Sequence, residues 1–156
     1  MVEYLGLDRL GKRLWLFDTF SGHPMEQLTE RELAGISPKV QAAGYDKQAN
    51  LYESVRETFA PYPNVEIVRG IVPESLSMLQ GRPIAFLHMD TNGTHSDSET
   101  LAILWENLVV GAHVVVGRYA HRMYPELKKA VDEVAARHGH TLLQLPTGQG
   151  LLVKTR

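Results

Sequence analysis

The sequence contains no cysteine. That excludes disulfides, thiol nucleophiles and thiolate metal ligands. No apolar run approaches the roughly 20 residues needed to span a bilayer, so no membrane partner is expected. The opening residues, MVEYLGLDRLGKR, lack the basic-then-apolar order of a secretory signal, and a cytoplasmic location is the expectation. Neither sign of charge is in excess: the formal net charge is −2, which gives no sequence-wide attraction to nucleic acid. Phosphate-binding glycine motifs are missing too. There is no GxxxxGK[ST] and no GxGxxG, which argues against a nucleotide triphosphatase. The stretch Thr147-Gly148-Gln149-Gly150 is no substitute, because no helix follows it to turn its N-terminus towards a phosphate.

What remains is a chain of 156 residues, 44% hydrophobic. This suits a single α/β domain over residues 1–156 with a proper core. Strand-like and helix-like segments alternate, which predicts a mostly parallel sheet with crossover helices. Short apolar runs occupy 13–17, 65–69, 84–89 and 112–116. Runs at 141–145 and 151–154 flank the turn-forming Pro146-Thr147-Gly148-Gln149-Gly150, predicting a C-terminal antiparallel hairpin. Leu51, Val55 and Phe59 repeat at helical spacing. Ser96 and Glu99 fit a capping box ahead of Leu101, Leu104 and Leu108. Pro125 and Gly139 fit the start and stop of another helix, with Leu127, Ala130, Val131 and Val134 facing inward. A short helix is expected near 26–34. The long connection over 21–46 suits either a substrate lid or a surface insertion.

In open α/β sheets ligands bind outside the carboxyl ends of the parallel strands, which selects candidates. Asp18, Thr19 and Phe20 follow the first run. A carboxylate there can accept hydrogen bonds from ribose hydroxyls, and Phe20 can cover an adenine face. Gly70 and Ile71 follow the second run and offer close backbone approach with apolar contact. Asp90 and Asn92 follow the third. If the strand at 141–145 is parallel to the others, Gln149 faces the same edge. Each choice has a plainer alternative. Aspartates form turns or cap helices, Phe20 can belong to the core, and Gln149 can be an exposed turn residue.

Asp90, Asn92, His95, Asp97 and Glu99 offer the donors that magnesium, manganese or zinc accepts. Acids at that spacing equally suit a helix N-terminus, and no metal site is expected. His95, His121 and His23 are candidate general bases, because imidazole titrates near neutrality. His88, within a strand, reads as a hydrogen-bonded structural residue. His138 fits a helix C-terminus.

The segments LWLFDTFSG, YPNVEIVRGIVPESL, IAFLHMDTN and LPTGQGLLVK, in this order, resemble the macrocin O-methyltransferase group of class I, S-adenosylmethionine-dependent methyltransferases. The resemblance covers about residues 12–156. It implies a Rossmann-like sheet and methylation of a hydroxyl on a sugar or similar natural product, a small-molecule acceptor. It assigns Asp18 to the cofactor ribose, Thr19 and Phe20 to the border of the adenosine, and Gly70 and Ile71 to the adenine. Asp90 falls at the methyl-transfer centre. Of the other residues at this edge, Asn92 and Gln149 are candidates for the substrate, and His95 and His121 are weaker candidates for the base.

The sequence departs from the group's pattern twice. Where members that use a divalent cation carry an acidic pair after the next strand, this chain has Gly117-Arg118. The expectation is that Arg118 pairs with Asp90 in place of a metal. Ahead of the strand ending at Asp18 there is also no first strand with its glycine-rich turn, which in the group's order 3-2-1-4-5-7-6 is central. Residues such as Leu5, Leu7 and Leu10 suit the tail of a crossover helix instead. An incomplete sheet is therefore expected. Either the strand ending at Asp18 closes up against the one ending at Asp90, or a homo-oligomer completes the sheet. The missing unit weakens or abolishes cofactor binding, and the alternative function is a catalytically inactive binding or assembly module of methyltransferase fold.

Overall fold

The computed structural model describes residues 2–36 and 50–156. In chain order the elements are α1 (Val2–Leu5), β1 (Leu14–Asp18), α2 (Glu30–Gly35), α3 (Leu51–Phe59), β2 (Val65–Arg69), β3 (Ile84–Met89), α4 (Thr94–Leu104), β4 (Leu108–Val116), α5 (Pro125–Arg137), β5 (Leu143–Gln144) and β6 (Gly150–Val153). They fall into two compact units. One comprises Met1–His23 with Pro38–Ser75, the other Pro24–Ser37 with Leu76–Arg156. Residues 37–46 of the connection read as either a lid or a surface insertion lie outside the described residues. No helix among the described residues is long and apolar enough to cross a membrane.

In the first unit β1 and β2 pair in parallel, from Leu14 opposite Val65 to Asp18 opposite Arg69. The ladder is clasped at both ends: the Leu14 N–H donates to the Asn64 carbonyl at 2.9 Å, and the Gly70 N–H to the Asp18 carbonyl at 3.0 Å. Leu51, Val55 and Phe59 are half-buried along one side of α3, as their spacing predicts. Around the start of β1, Arg13 pairs with Glu66 at 2.7 Å, and the Tyr62 hydroxyl donates to Glu3 of α1.

The second unit carries a four-stranded sheet in the order β3-β4-β6-β5. β3 and β4 are parallel, β6 runs antiparallel to β4, and β5 antiparallel to β6. β5 therefore runs with β3 and β4, and the turn that follows it arrives at their carboxyl ends. Met89, Ala112, Val114, Val116 and Leu152 from the strands, with Leu101, Leu127, Val131, Val134 and Ala135 from α4 and α5, form one buried cluster. Strands of alternating burial packed beneath two helices are the expected result of a period-2 pattern facing a period-3.6 stripe.

Several expectations need correction. Among the described strands β1 pairs with β2 alone, and β3 with β4 alone. The expected pairing of the Asp18 strand with the Asp90 strand is not among these ladders. The first strand is Leu14–Asp18 rather than 13–17, so Asp18 is itself the last ladder residue. Ser96 and Glu99 form no capping box. The N-cap of α4 is Gly93, and the carboxylate of Glu32 accepts the Thr94 N–H at 2.8 Å. That side chain caps the helix from outside, and its N-cap lies three residues before Ser96. Ser96 turns inward and donates to Gln27 at 2.7 Å. A capping box does form at Thr29 and Glu32, ahead of α2. Leu108 does not extend the α4 stripe but opens β4, after a single tight turn at Trp105–Asn107. The expected helix near 26–34 is a 3₁₀ turn, Met25–Gln27, and then α2. His88, expected to be a hydrogen-bonded structural residue of a strand, lies on β3 and is exposed.

Candidate functional site

The first unit gathers all five residues expected to hold a cofactor at the carboxyl ends of its two strands. Asp18 is exposed, and its Oδ1 accepts the Phe20 N–H at 2.7 Å. This aspartate turn holds Phe20 in the left-handed region, φ 55°, a conformation costly for a residue with a Cβ. Thr19 locks the same loop, donating from its hydroxyl to the Gly22 carbonyl at 2.6 Å and accepting the Ser21 N–H at 3.3 Å. The Phe20 ring meets Tyr52 of α3 edge-on, with centroids 5.0 Å apart. Tyr52 also lies beneath the guanidinium of Arg69 at 5.8 Å.

Gly70 follows β2 directly. A Cβ there would stand 3.0 Å from the Ser75 Cβ, so the backbone is bare where the chain turns. Ile71 is part exposed, and its carbonyl accepts the Ser75 N–H at 2.9 Å. The Ser75 hydroxyl is buried and has no hydrogen-bond partner. An unpaired buried hydroxyl costs about 1–3 kcal/mol. With an exposed strand-end carboxylate and a bare glycine nearby, it suits a polar ligand rich in hydroxyls and ring nitrogens. Sequence reasoning had no signal for Ser75, since one serine in a turn is unremarkable without its surroundings.

The second unit places Asp90, Asn92 and Gln149 at or near the carboxyl ends of its parallel strands. Asp90 follows β3. Its carboxylate lies over Gly117, whose N–H donates to the Met89 carbonyl at 2.7 Å. The expected partner is present: Arg118 Nε stands 3.7 Å from Asp90 Oδ1. Asn92 is in the left-handed region, φ 65°, and its buried Oδ1 has no partner. Gln149 is half-buried, but its Oε1 accepts the Thr147 hydroxyl at 2.9 Å, so its amide carbonyl is engaged within its own turn. That turn is fastened to the loop after β4 by the Ala120 N–H, which donates to the Gly148 carbonyl at 2.8 Å. His121 shares this loop, and its Nδ1 accepts the Met123 N–H at 3.3 Å. His95 is exposed near the start of α4.

Two carboxylates behind this edge are buried. Asp97 is 1% exposed. Its Oδ1 accepts both the Thr91 hydroxyl at 2.8 Å and the Thr91 N–H at 3.3 Å, while Oδ2 has no partner. Burial pushes its pKa up to about 6; the Thr91 bonds pull it down, and the charges of Asp90 and Glu32 add to the rise. Glu32, also buried, accepts from Thr94 through Oε1 and from the Thr29 N–H through Oε2 at 2.8 Å. Burial alone raises its pKa, but the bonds from Thr29 and Thr94 outweigh it and hold the group below the usual carboxylate range. Glu32 was not singled out from the sequence, although Thr29-x-x-Glu32 carries the capping-box spacing.

The cluster Asp90, Asn92, His95, Asp97 and Glu99 does not converge. Asp97 is turned into the core, whereas His95 and Glu99 are exposed. Among the described residues no group of three or more His, Asp or Glu side chains is arranged to hold a metal ion.

The family profile of the macrocin O-methyltransferases (TylF) matches residues 3–143. Comparison with curated proteins gives no match. Among solved structures, the O-methyltransferase NovP is 24% identical with a TM-score of 0.72, covering 92% of this chain and 60% of that one. CalS11, a calicheamicin methyltransferase, is 19% identical with a TM-score of 0.69, covering 90% of this chain and 60% of that one. An apo structure of CalS11, described as a TDP-rhamnose 3'-O-methyltransferase, gives 18% identity and a TM-score of 0.56 over 98% of this chain and 79% of that one. The chain therefore spans about 60% of the length of the first two structures it matches.

Proposed function

Because the chain belongs to the macrocin O-methyltransferase (TylF) family, we propose that it serves S-adenosylmethionine-dependent methylation of a hydroxyl on a sugar or related natural product. In this reading the first unit takes the adenosine end of the cofactor. The observation that carries it is the junction of Asp18 and Gly70, the last residue of one parallel strand and the first residue beyond its neighbour, joined by a backbone hydrogen bond. It leaves an exposed carboxylate beside a bare backbone, with the unpaired Ser75 hydroxyl nearby. Asp18 accepts from the ribose hydroxyls, while Gly70 and Ile71 give the adenine a close, partly apolar approach. Thr19 and Phe20 shape the loop that borders them.

The second unit supplies the acceptor edge. Asp90 accepts a hydrogen bond from the substrate hydroxyl, Asn92 and Gln149 lie towards the substrate, and His95 and His121 stand as outer bases. The cofactor contributes the electrophilic methyl group when bound. The chain's own residues orient the acceptor and receive its proton. The sugar acceptor is taken from the family and from the rhamnose named for CalS11. A homo-oligomer that completes the sheet belongs to the same proposal.

Calorimetric titration with S-adenosylmethionine and S-adenosylhomocysteine tests it. Saturable binding that Asp18→Asn weakens at least about tenfold, roughly 1.4 kcal/mol, is expected. No saturation below the millimolar range favours the alternative, a binding or assembly module of the same fold.

A further inference from the structure

The end of β4 is built around a missing side chain. A Cβ on Gly117 would stand 2.5 Å from Asp90 Oδ1 and 2.6 Å from its Cγ, so no side chain fits there unless Asp90 moves. The next residue, Arg118, adopts φ 56°. That region is sterically costly for a residue with a Cβ. The turn sends its side chain back over the strand ends, where three contacts hold it. Nε faces Asp90 at 3.7 Å, Nη1 donates to the Tyr124 hydroxyl at 3.0 Å, and the guanidinium lies 5.4 Å from the centroid of the Tyr124 ring.

The Asp90 and Arg118 side chains are 46% and 40% exposed. An ion pair that open to solvent stabilises a fold little. A strained backbone kept for a contact of low structural worth points to function at the pair itself.

A divalent cation does not suit this edge. Magnesium and its relatives need several oxygen donors, with carboxylates to balance the charge. At the edge itself stand one carboxylate, one asparagine and a guanidinium whose positive charge faces the carboxylate; the acids behind it, Asp97 and Glu32, are buried and accept from Thr91, Thr94 and Thr29. The position before Arg118 has no room for a second acid.

We infer that Arg118 is the resident cation of the Asp90 site and excludes a divalent ion from it. The pair then offers a substrate hydroxyl both a carboxylate that accepts its proton and a guanidinium that donates to its oxygen. The hydroxyl-binding role rests on the methyltransferase reading above; the exclusion of the ion rests on the geometry of Asp90, Gly117 and Arg118.

The test titrates manganese alone, with no cofactor or acceptor, into the full chain and follows it by electron paramagnetic resonance and calorimetry. Its outcome is therefore separable from that of the cofactor titration. The wild-type chain is expected to show no saturable site below about 1 mM, the weak end of the affinities seen for oxygen-ligand cation sites. Arg118→Asp replaces the cation with a second acid, and Asp is a residue that tolerates left-handed φ. It should create a saturable site at least about tenfold tighter than wild type, lost again in Asp90→Asn/Arg118→Asp. Arg118→Asn, neutral and equally suited to that φ, controls for loss of the side chain alone and should fall between the two. Unchanged thermal melting shows that each variant is folded. Tight manganese binding by the wild type that Asp90→Asn removes would overturn the inference. So would an Arg118→Asp variant that binds no better than wild type.

Discussion

Gly150 opens β6 directly beneath the ring of Tyr119: a Cβ at Gly150 would stand 2.7 Å from the Tyr119 Cγ. The contact joins the C-terminal hairpin to the loop that carries Arg118 and His121. The ring cannot swing aside easily, because Tyr119 is 2% exposed and its hydroxyl donates to Asp132 at 2.6 Å. Gly150→Ala should therefore destabilise the chain by about 1–3 kcal/mol, as overpacking of a filled site does. Urea unfolding followed by tryptophan fluorescence measures it. A variant as stable as wild type would show that the hairpin adjusts freely.

The far end of Tyr119 lies in a polar network on α5. Lys128 donates to the Tyr119 hydroxyl at 2.8 Å and to Asp132 at 2.6 Å. Tyr119→Phe removes the shared hydroxyl and leaves the Lys128–Asp132 pair intact. The expected loss is about 1 kcal/mol. Adding Lys128→Met to Tyr119→Phe should cost less than the sum of the two single changes, since both remove the same bond. Strict additivity in the double-mutant cycle would show that the network is not coupled.

Glu32 ties α2 to the first turn of α4, accepting the Thr94 N–H at 2.8 Å and the Thr94 hydroxyl at 2.7 Å. Glu32→Ala leaves both donors without this acceptor and also breaks the box at Thr29. A loss of about 2–4 kcal/mol is expected, from an emptied cap and a hydrogen bond to a charged group. Glu32→Gln keeps an acceptor for Thr94 and should recover part of it. Hydrogen exchange at the Thr94 amide is the local readout. Protection there that survives Glu32→Ala would refute the capping role.

The strands and the long helices were legible from the sequence because their burial follows simple periods. Val114, Val116 and Leu152 alternate, and Leu127, Val131 and Val134 form a helical stripe. The pairing of Arg118 with Asp90 was legible as well, through the family resemblance: where members carry an acidic pair, Gly117-Arg118 sets a cation against one carboxylate. What escaped depends on contacts distant in sequence. Glu32 caps a helix 62 residues later in the chain, and this moves the start of α4 to Thr94. No local pattern around Ser96 and Glu99 can show that. The separation into two sheets escaped for the same reason, since strand pairing is settled by partners and not by the composition of a strand. Asp97 was read as an acid favoured by a helix N-terminus, whereas its burial against Thr91 comes from the tertiary fold.

That burial gives Asp97 a signature in pH. Its pKa rises from an ordinary 3.8 to about 6 in the folded chain, through burial first, with the Asp90 and Glu32 charges adding and the Thr91 bonds opposing. The folded state thus holds the proton more tightly than the unfolded state. The resulting stabilisation is fully present below pH 3.8 and is lost as pH rises through about 6. A shift of two units corresponds to about 3 kcal/mol. Glu32, held below its ordinary range, contributes with the opposite sign, so the slope of the wild type alone is ambiguous. The difference between wild type and Asp97→Asn is not, because the substitution leaves Glu32 in place. Asparagine keeps an oxygen for the Thr91 donors but carries no charge at any pH. The wild type should therefore lose stability relative to Asp97→Asn between pH 4 and pH 8, by an amount on the order of 3 kcal/mol. Denaturant unfolding at several pH values reads the difference directly. A gap that stays constant across the range would mean that Asp97 titrates alike in the folded and unfolded chain.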